Sequence, residues 1–199
     1  MITAQSCRAW VTYVSNDEKI ITKALVLARS LKRVCSVNNT VVFTRNSLSE
    51  ELTEKVMQTF DLVIPLPSSS SYKLPIDEEA LVHALALKNF EKCVFLRPDC
   101  MVLRNCDEVF EKFACVGIIN DDNYEKSFGA IGFIPCFANS KSLKQFLLAA
   151  RNGIEKECEG RLSSLCLWRT WLRNNVKDLQ YLDRKYNIIL DLKNGAIKW

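Results

Sequence analysis

Arg8-Ala9-Trp10-Val11-Thr12-Tyr13-Val14-Ser15-Asn16-Asp17 is the stretch on which the fold turns. Its β-branched and aromatic residues, Trp10 to Val14, predict a strand. Asn16 and Asp17 then supply a helix cap and a negative charge in the first turn. Over residues 20–34, apolar side chains recur at Ile20, Ile21, Ala24, Leu25, Leu27, Ala28 and Leu31, which is helical spacing. Lys32 and Arg33 complement the dipole at its far end. A strand that runs straight into a capped amphipathic helix is the first half of a βαβ unit.

Working outward, Asn38-Asn39 turns the chain, and residues 40–44 form a short apolar strand of the buried parallel type. Ser47-Leu48-Ser49-Glu50 has capping-box spacing, so a second helix begins at Ser47 or Ser49 and runs to about Phe60. Residues 61–66 give a third strand. This βαβαβ order predicts an α/β sheet with right-handed crossovers, whose ligand lies beyond the carboxyl ends of its strands. Residues 67–75, with Ser68-Ser69-Ser70-Ser71, predict a loop. A helix over 77–90 and a strand over 92–96 follow. Pro98 ends that strand in Arg97-Pro98-Asp99-Cys100, because proline cannot donate to the ladder. Residues 101–103 resume extended, 107–113 give a short helix, and 115–119 and 129–137 are strands about the turn Asp121-Asp122-Asn123. Helices over 140–152, stopped by Gly153, and over 162–174 precede a last apolar segment at 188–192. Neither a repeat nor a linker interrupts this, so one compact domain over 1–199 is expected.

Composition narrows the function. With 48% hydrophobic and 25% charged residues the 199-residue chain is an ordinary globular protein, not a disordered or fibrous one. Charges interrupt every apolar run before the roughly 20 residues a membrane helix needs, and no signal peptide is readable at the start. The net charge of +4 is spread without blocks, which gives no footprint for nucleic acid. The nine cysteines include no CxxC pair, so they predict reduced, mostly buried thiols in a cytoplasmic protein rather than zinc ligands.

The order of elements, with several local sequences, resembles glycosyltransferase family 8, the glycogenin and galactinol synthase group. Val11 to Asp17 resembles the family's nucleotide-binding first strand, followed by Ala24-Leu25-Val26-Leu27 and Ser30-Leu31-Lys32. Phe60-Asp61-Leu62-Val63-Ile64 resembles the third strand. Lys92-Cys93-Val94-Phe95-Leu96 leads to the place of the Asp-x-Asp motif, and Val102-Leu103-Arg104-Asn105 with Asp107-Glu108-Val109-Phe110 resembles the segment beyond it. Together these lie within residues 8–155. The resemblance implies a GT-A fold, a UDP-sugar donor and a divalent metal, usually manganese. It also places the base and ribose of a nucleotide near Tyr13, Ser15 and Asn16, residue types that equally cap strand ends.

The residues that the resemblance assigns to chemistry are mostly replaced. Arg97-Pro98-Asp99 stands for Asp-x-Asp, so Asp99 is the remnant metal ligand and a cation stands for the other. Arg97 can hold a diphosphate directly, since guanidinium matches phosphate geometry, or can simply pair with Asp99 or a nearby acidic residue. The family's third ligand is a histidine, and Asn194-Gly195-Ala196-Ile197-Lys198-Trp199 resembles that segment without one. His83, the single histidine, matches a different family position, on a helix face. Leu81 stands where the family has a donor-contacting lysine. Ala130-Ile131-Gly132 stands for Asn-Ser-Gly, and Ser163-Ser164-Leu165 for Asp-Gln-Gly.

Departure of a diphosphate needs a metal or an equivalent cation clamp. The expectation is therefore an inactive binding or scaffolding protein with no catalytic residue and no cofactor. The alternative is a transferase with an altered metal site, using manganese and a UDP-sugar. A protein partner or self-association is expected, through Trp168, Arg169, Trp171 and Arg173, residue types common at interface hot spots. The same helical spacing of Trp168, Trp171 and Leu172 also fits a buried face.

Overall fold

The structure, a computed structural model, describes residues 7–45, 48–66, 76–113, 116–119, 130–133, 179–182, 189–191 and 196–198. The elements run β1 (Arg8–Val14), α1 (Glu18–Arg33), β2 (Asn39–Thr44), α2 (Glu50–Thr59), β3 (Leu62–Pro65), α3 (Ile76–Ala84) and β4 (Lys92–Leu96). A 3-10 turn (Asp107–Glu111), β5 (Val116–Ile119), β6 (Ala130–Phe133), β7 (Leu179–Leu182), β8 (Ile189–Asp191) and β9 (Ala196–Lys198) follow. Seven strands form one sheet in the order β3-β2-β1-β4-β6-β5-β7, and β8 and β9 form an antiparallel pair of their own. β1, β2, β3 and β4 are mutually parallel, as the βαβαβ reading requires, whereas β6 runs antiparallel to both β4 and β5.

Local chemistry sets the helix ends. Asp17 is the N-cap of α1 and its Oδ1 accepts from the Lys19 N–H at 2.9 Å. Ser49, not Ser47, caps α2, accepting from the Leu52 N–H at 3.4 Å. Along β1, alternate residues face opposite sides of the sheet. Trp10 and Val14, four residues apart, therefore share the face that α1 covers, where Trp10 packs with Leu27, Leu31, Val94, Phe110 and Phe113 and Val14 with Ile21, Ala24, Ala28, Val42, Val56 and Phe60. Trp10 also donates from Nε1 to Ser36 Oγ at 2.8 Å, and Ser36 donates to Asp107 at 2.6 Å. That relay ties β1, the end of α1 and the 3-10 turn together.

Several expectations need correction. α3 stops at Ala84 rather than continuing to residue 90. The Glu91 N–H donates to the Cys7 carbonyl at 2.6 Å, so the chain must be extended beside β1 by then, and 85–90 are spent in tight turns. Residues 101–103 join no strand, and the expected short helix is a single 3-10 stretch. β7 and β9 depart from the expectation: β7 is short and pairs with the distant β5, and β9 is a three-residue strand that pairs with the nearby β8. Among the described cysteines none is in a disulfide, and only Cys93 is fully buried; Cys7 and Cys35 are exposed. No helix among the described residues is long and apolar enough to cross a membrane.

Candidate functional site

After β1 the chain builds β2 and β3 on one side and returns to place β4 on the other. The carboxyl ends of β1 and β4 thus flank the topological switch point, where an open α/β sheet leaves a crevice. Val11 is level with Phe95, so Tyr13 and Arg97 leave the pair at equivalent heights. The Cys100 N–H closes a turn onto the Arg97 carbonyl at 3.1 Å, with Pro98 at the corner that favours proline. The turn aims Arg97 and Asp99 at the same opening as Tyr13.

Arg97 and Asp99 pair side by side. Nε donates to Oδ1 at 3.1 Å and Nη2 to Oδ2 at 2.8 Å, a bidentate fork that occupies both carboxylate oxygens. Burial works against the guanidinium charge, but the Asp99 charge and hydrogen bonds outweigh it and raise its pKa. Tyr13 is buried and stacks on Phe95 with ring centroids 6.2 Å apart. Its phenol is pushed up to about 12, first by burial, then by the Asp77 carboxylate on α3, with Arg97 opposing and Asp99 adding. The Cys100 thiol is pushed up to about 11, chiefly by burial, and stays protonated near neutrality.

These residues do not fit a divalent metal. Asp99 has both oxygens engaged by a cation, and among the described residues no cluster of three or more His, Cys, Asp or Glu side chains could hold an ion. His83 lies in the last turn of α3, half-buried, with its ring centroid 6.3 Å from that of Phe43. Burial lowers its pKa, with Glu79 opposing. Leu81 is buried in the core.

Ser15 accepts from the Asp17 N–H at 3.3 Å, a bond at the entry to α1 rather than in the crevice; Asn16 is exposed beside it. Ala130 pairs with Leu96, which brings the start of β6 to the end of β4 beside the Arg97 turn. Residues 163–165 and the segment holding Trp168, Arg169, Trp171 and Arg173 lie outside the described residues.

Two charged groups near the crevice escaped the sequence reading. Asp77 acts on Tyr13, and Glu79 is buried on α3, where Oε2 accepts from Arg45 at 2.9 Å and Oε1 has no partner. Both fall in the first turn of α3, where acidic residues are explained by the dipole alone. The one available signal was that Glu79 sits a turn beyond Ile76 and a turn before His83, on the inward stripe.

About half of the chain has curated relatives. Mouse glycogenin-1 is 32% identical over 115 residues, covering 53% of this chain and 34% of that protein. Glycogenin-1 of Caenorhabditis elegans is 31% identical over 114 residues, covering 52% and 26%. Human glycogenin-2 is 35% identical over 115 residues, covering 53% and 23%. This chain is glycogenin-like. It spans about a third or less of the length of these relatives, and no protein-family model matches it.

Solved structures agree on the fold. The glycosyltransferase GlyE of Streptococcus pneumoniae superposes with a TM-score of 0.67 at 15% identity, covering 92% of the glycogenin-like chain and 47% of its own. The galactosyltransferase LgtC, solved with donor and acceptor sugar analogues, gives 0.61 at 11% identity, covering 89% and 74%. Mouse xyloside xylosyltransferase 1 gives 0.59 at 14% identity, covering 89% and 85%. The glycogenin-like chain therefore has a GT-A, Rossmann-like fold of the nucleotide-sugar transferase type.

Proposed function

We propose that this glycogenin-like protein keeps the transferase fold without sugar transfer and serves as a binding or scaffolding protein in the cytoplasm. The observation that carries the reading is the Arg97–Asp99 fork, which neutralises the one acidic position matched to the family's metal motif. Without a dication or a free cation clamp, the charge on a departing diphosphate has little to stabilise it. A nucleotide held without metal would meet Tyr13 and Arg97 at the crevice, with Ser15 and Asn16 at the entry to α1 beside it.

A second reading is a live transferase on a UDP-sugar, with manganese supplied from an altered site or with Arg97 turned from Asp99 to the diphosphate. The position of Arg97 at the crevice between β1 and β4 favours it. The test is sugar transfer and donor hydrolysis with radiolabelled UDP-glucose and UDP-galactose, with and without manganese. Background rates are expected throughout. Label on any acceptor, lost in Asp99→Ala, overturns the inactive reading.

A further inference from the structure

The loop that follows β4 is fastened along α1. The Val102 N–H donates to Ser30 Oγ at 2.9 Å, and Asn105 Nδ2 donates to the carbonyls of Val34 at 3.2 Å and Cys35 at 3.1 Å. Val102 packs against the core cluster that holds Trp10, Leu27 and Leu31. Its neighbours Met101 and Leu103 face out, 51% and 57% exposed. On the helix, Val26 lies four residues before Ser30 and Arg33 three after it, so both flank the point where the loop is held. Val26 is 43% exposed. Val26, Met101 and Leu103 therefore make one apolar patch across the seam between helix and loop.

Cations ring this patch. Lys23, Arg29 and Arg33 are exposed on α1 and Arg104 on the loop, and none of these forms an ion pair among the described residues. The acid that follows the loop is engaged elsewhere, since Asp107 accepts from Ser36 Oγ at 2.6 Å and from the Val37 N–H at 3.0 Å. Apolar side chains scattered singly on a surface need no explanation. A group of them inside a ring of unpaired cations has the anatomy of an interface, apolar at the centre and charged at the rim.

We propose that this seam between α1 and the loop 101–105 docks an acidic amphipathic helix of a partner protein. Val26 and Arg33 are seven residues apart, which is two helical turns and about 10 Å along the axis. A partner helix with apolar anchors at i, i+4 and i+7 spans that length and lays them on Val26, Met101 and Leu103. Carboxylates beside the anchors then meet Lys23, Arg29, Arg33 and Arg104, and this fixes the charge of the partner. A membrane is a poorer occupant, since the main apolar stripe of α1 is already buried in the core. Duplex DNA is poorer too, because apolar side chains hold the middle of the patch, where phosphates need cations. The proposal deepens the binding role above and rests on that reading for its purpose, not for its geometry.

The test is fluorescence anisotropy of a labelled synthetic peptide titrated with the whole chain. The probe has about 20 residues, long enough to hold a helix, with leucines at i, i+4 and i+7 on one face and glutamate and alanine elsewhere. In about 50 mM salt it is expected to bind with a Kd on the order of 10 μM, and about tenfold more weakly in about 500 mM salt, where screening is short-ranged. A peptide of the same composition with its leucines scattered round the helix should bind at least about tenfold more weakly. Arg33→Glu with Arg104→Glu, and separately Met101→Ser with Leu103→Ser, should each lower the affinity of the chain at least about tenfold. Melting temperatures check folding, and Gln at the two arginines or Ala at the two apolar positions replaces any variant that melts early. Absence of binding in low salt overturns the proposal, as does equal binding of the scattered peptide or unchanged binding by either variant. Tighter binding of phosphatidylserine vesicles or duplex DNA through the same residues overturns it as well. Detection of sugar transfer would remove the scaffolding reading and leave this surface standing.

Discussion

Arg97 and Asp99 satisfy one another, the two guanidinium nitrogens meeting the two carboxylate oxygens at 3.1 and 2.8 Å. Arg97 thus takes up both oxygens of Asp99. Both side chains are partly exposed, so the fork contributes little to stability and its consequence is chemical.

Manganese with UDP should not raise the melting temperature of the natural chain, since stabilisation by a ligand requires binding to the native state. Arg97→Asp puts two carboxylates one residue apart and should gain a manganese-dependent rise, read by differential scanning fluorimetry. Sugar transfer should stay at background in that variant, because groups that act as a unit are not restored singly. A metal-dependent shift in the natural chain counts against this account.

Stability should fall as pH rises above about 9. Burial pushes the Cys93 thiol up to about 12 from 9.0, and Tyr13, Cys100 and Cys106 move the same way. The unfolded chain releases these protons first, so it binds fewer than the native state between the two pKa values. Stability is whole below the unfolded values and is lost through the folded ones, at up to about 1.4 kcal/mol per pH unit for Cys93. Urea midpoints at pH 8, 9.5 and 10.5 measure this, and Cys93→Ala should flatten the slope.

Cys35→Gly should stabilise the protein by about 1 kcal/mol. Cys35 holds φ 56°, the left-handed position of a Schellman motif in which its N–H meets the Lys32 carbonyl and that of Ser36 meets Leu31. Glycine adopts this angle without a Cβ clash. Cys35→Ala keeps the Cβ and should gain nothing in the same chemical melts.

Arg45 and Glu79 should respond unequally to removal. The Glu79 side chain is 4% exposed and that of Arg45 46%. Arg45→Met strips the buried Glu79 carboxylate of the Arg45 donor and should cost about 3 kcal/mol, whereas Glu79→Gln leaves the cation on the half-exposed partner and should cost less. Equal losses in guanidinium melts would show that the pair is not the link between β2 and α3.

The parallel half of the sheet was legible in the sequence because its signals are local. A strand from Arg8, a cap at Asp17, a helical stripe from Ile20 to Leu31 and a cap at Ser49 depend on neighbours within a few residues, and the structure keeps them. The crevice was legible as well, since the order β1-α1-β2 with a later β4 forces a switch point. What Arg97 does there was not. Its residue type allows a phosphate or a carboxylate, and the turn at Pro98 brings Asp99 within reach at 2.8 Å. α3 ends at Ala84 against its own helical sequence because Glu91 must meet Cys7 at the start of β1. The burial of Glu79, the place of β7 beside β5 and the closeness of loop 101–105 to α1 likewise arise from groups far apart in the chain. Periodicity and caps report the chain's own neighbourhood; which distant group fills a site is settled by packing alone.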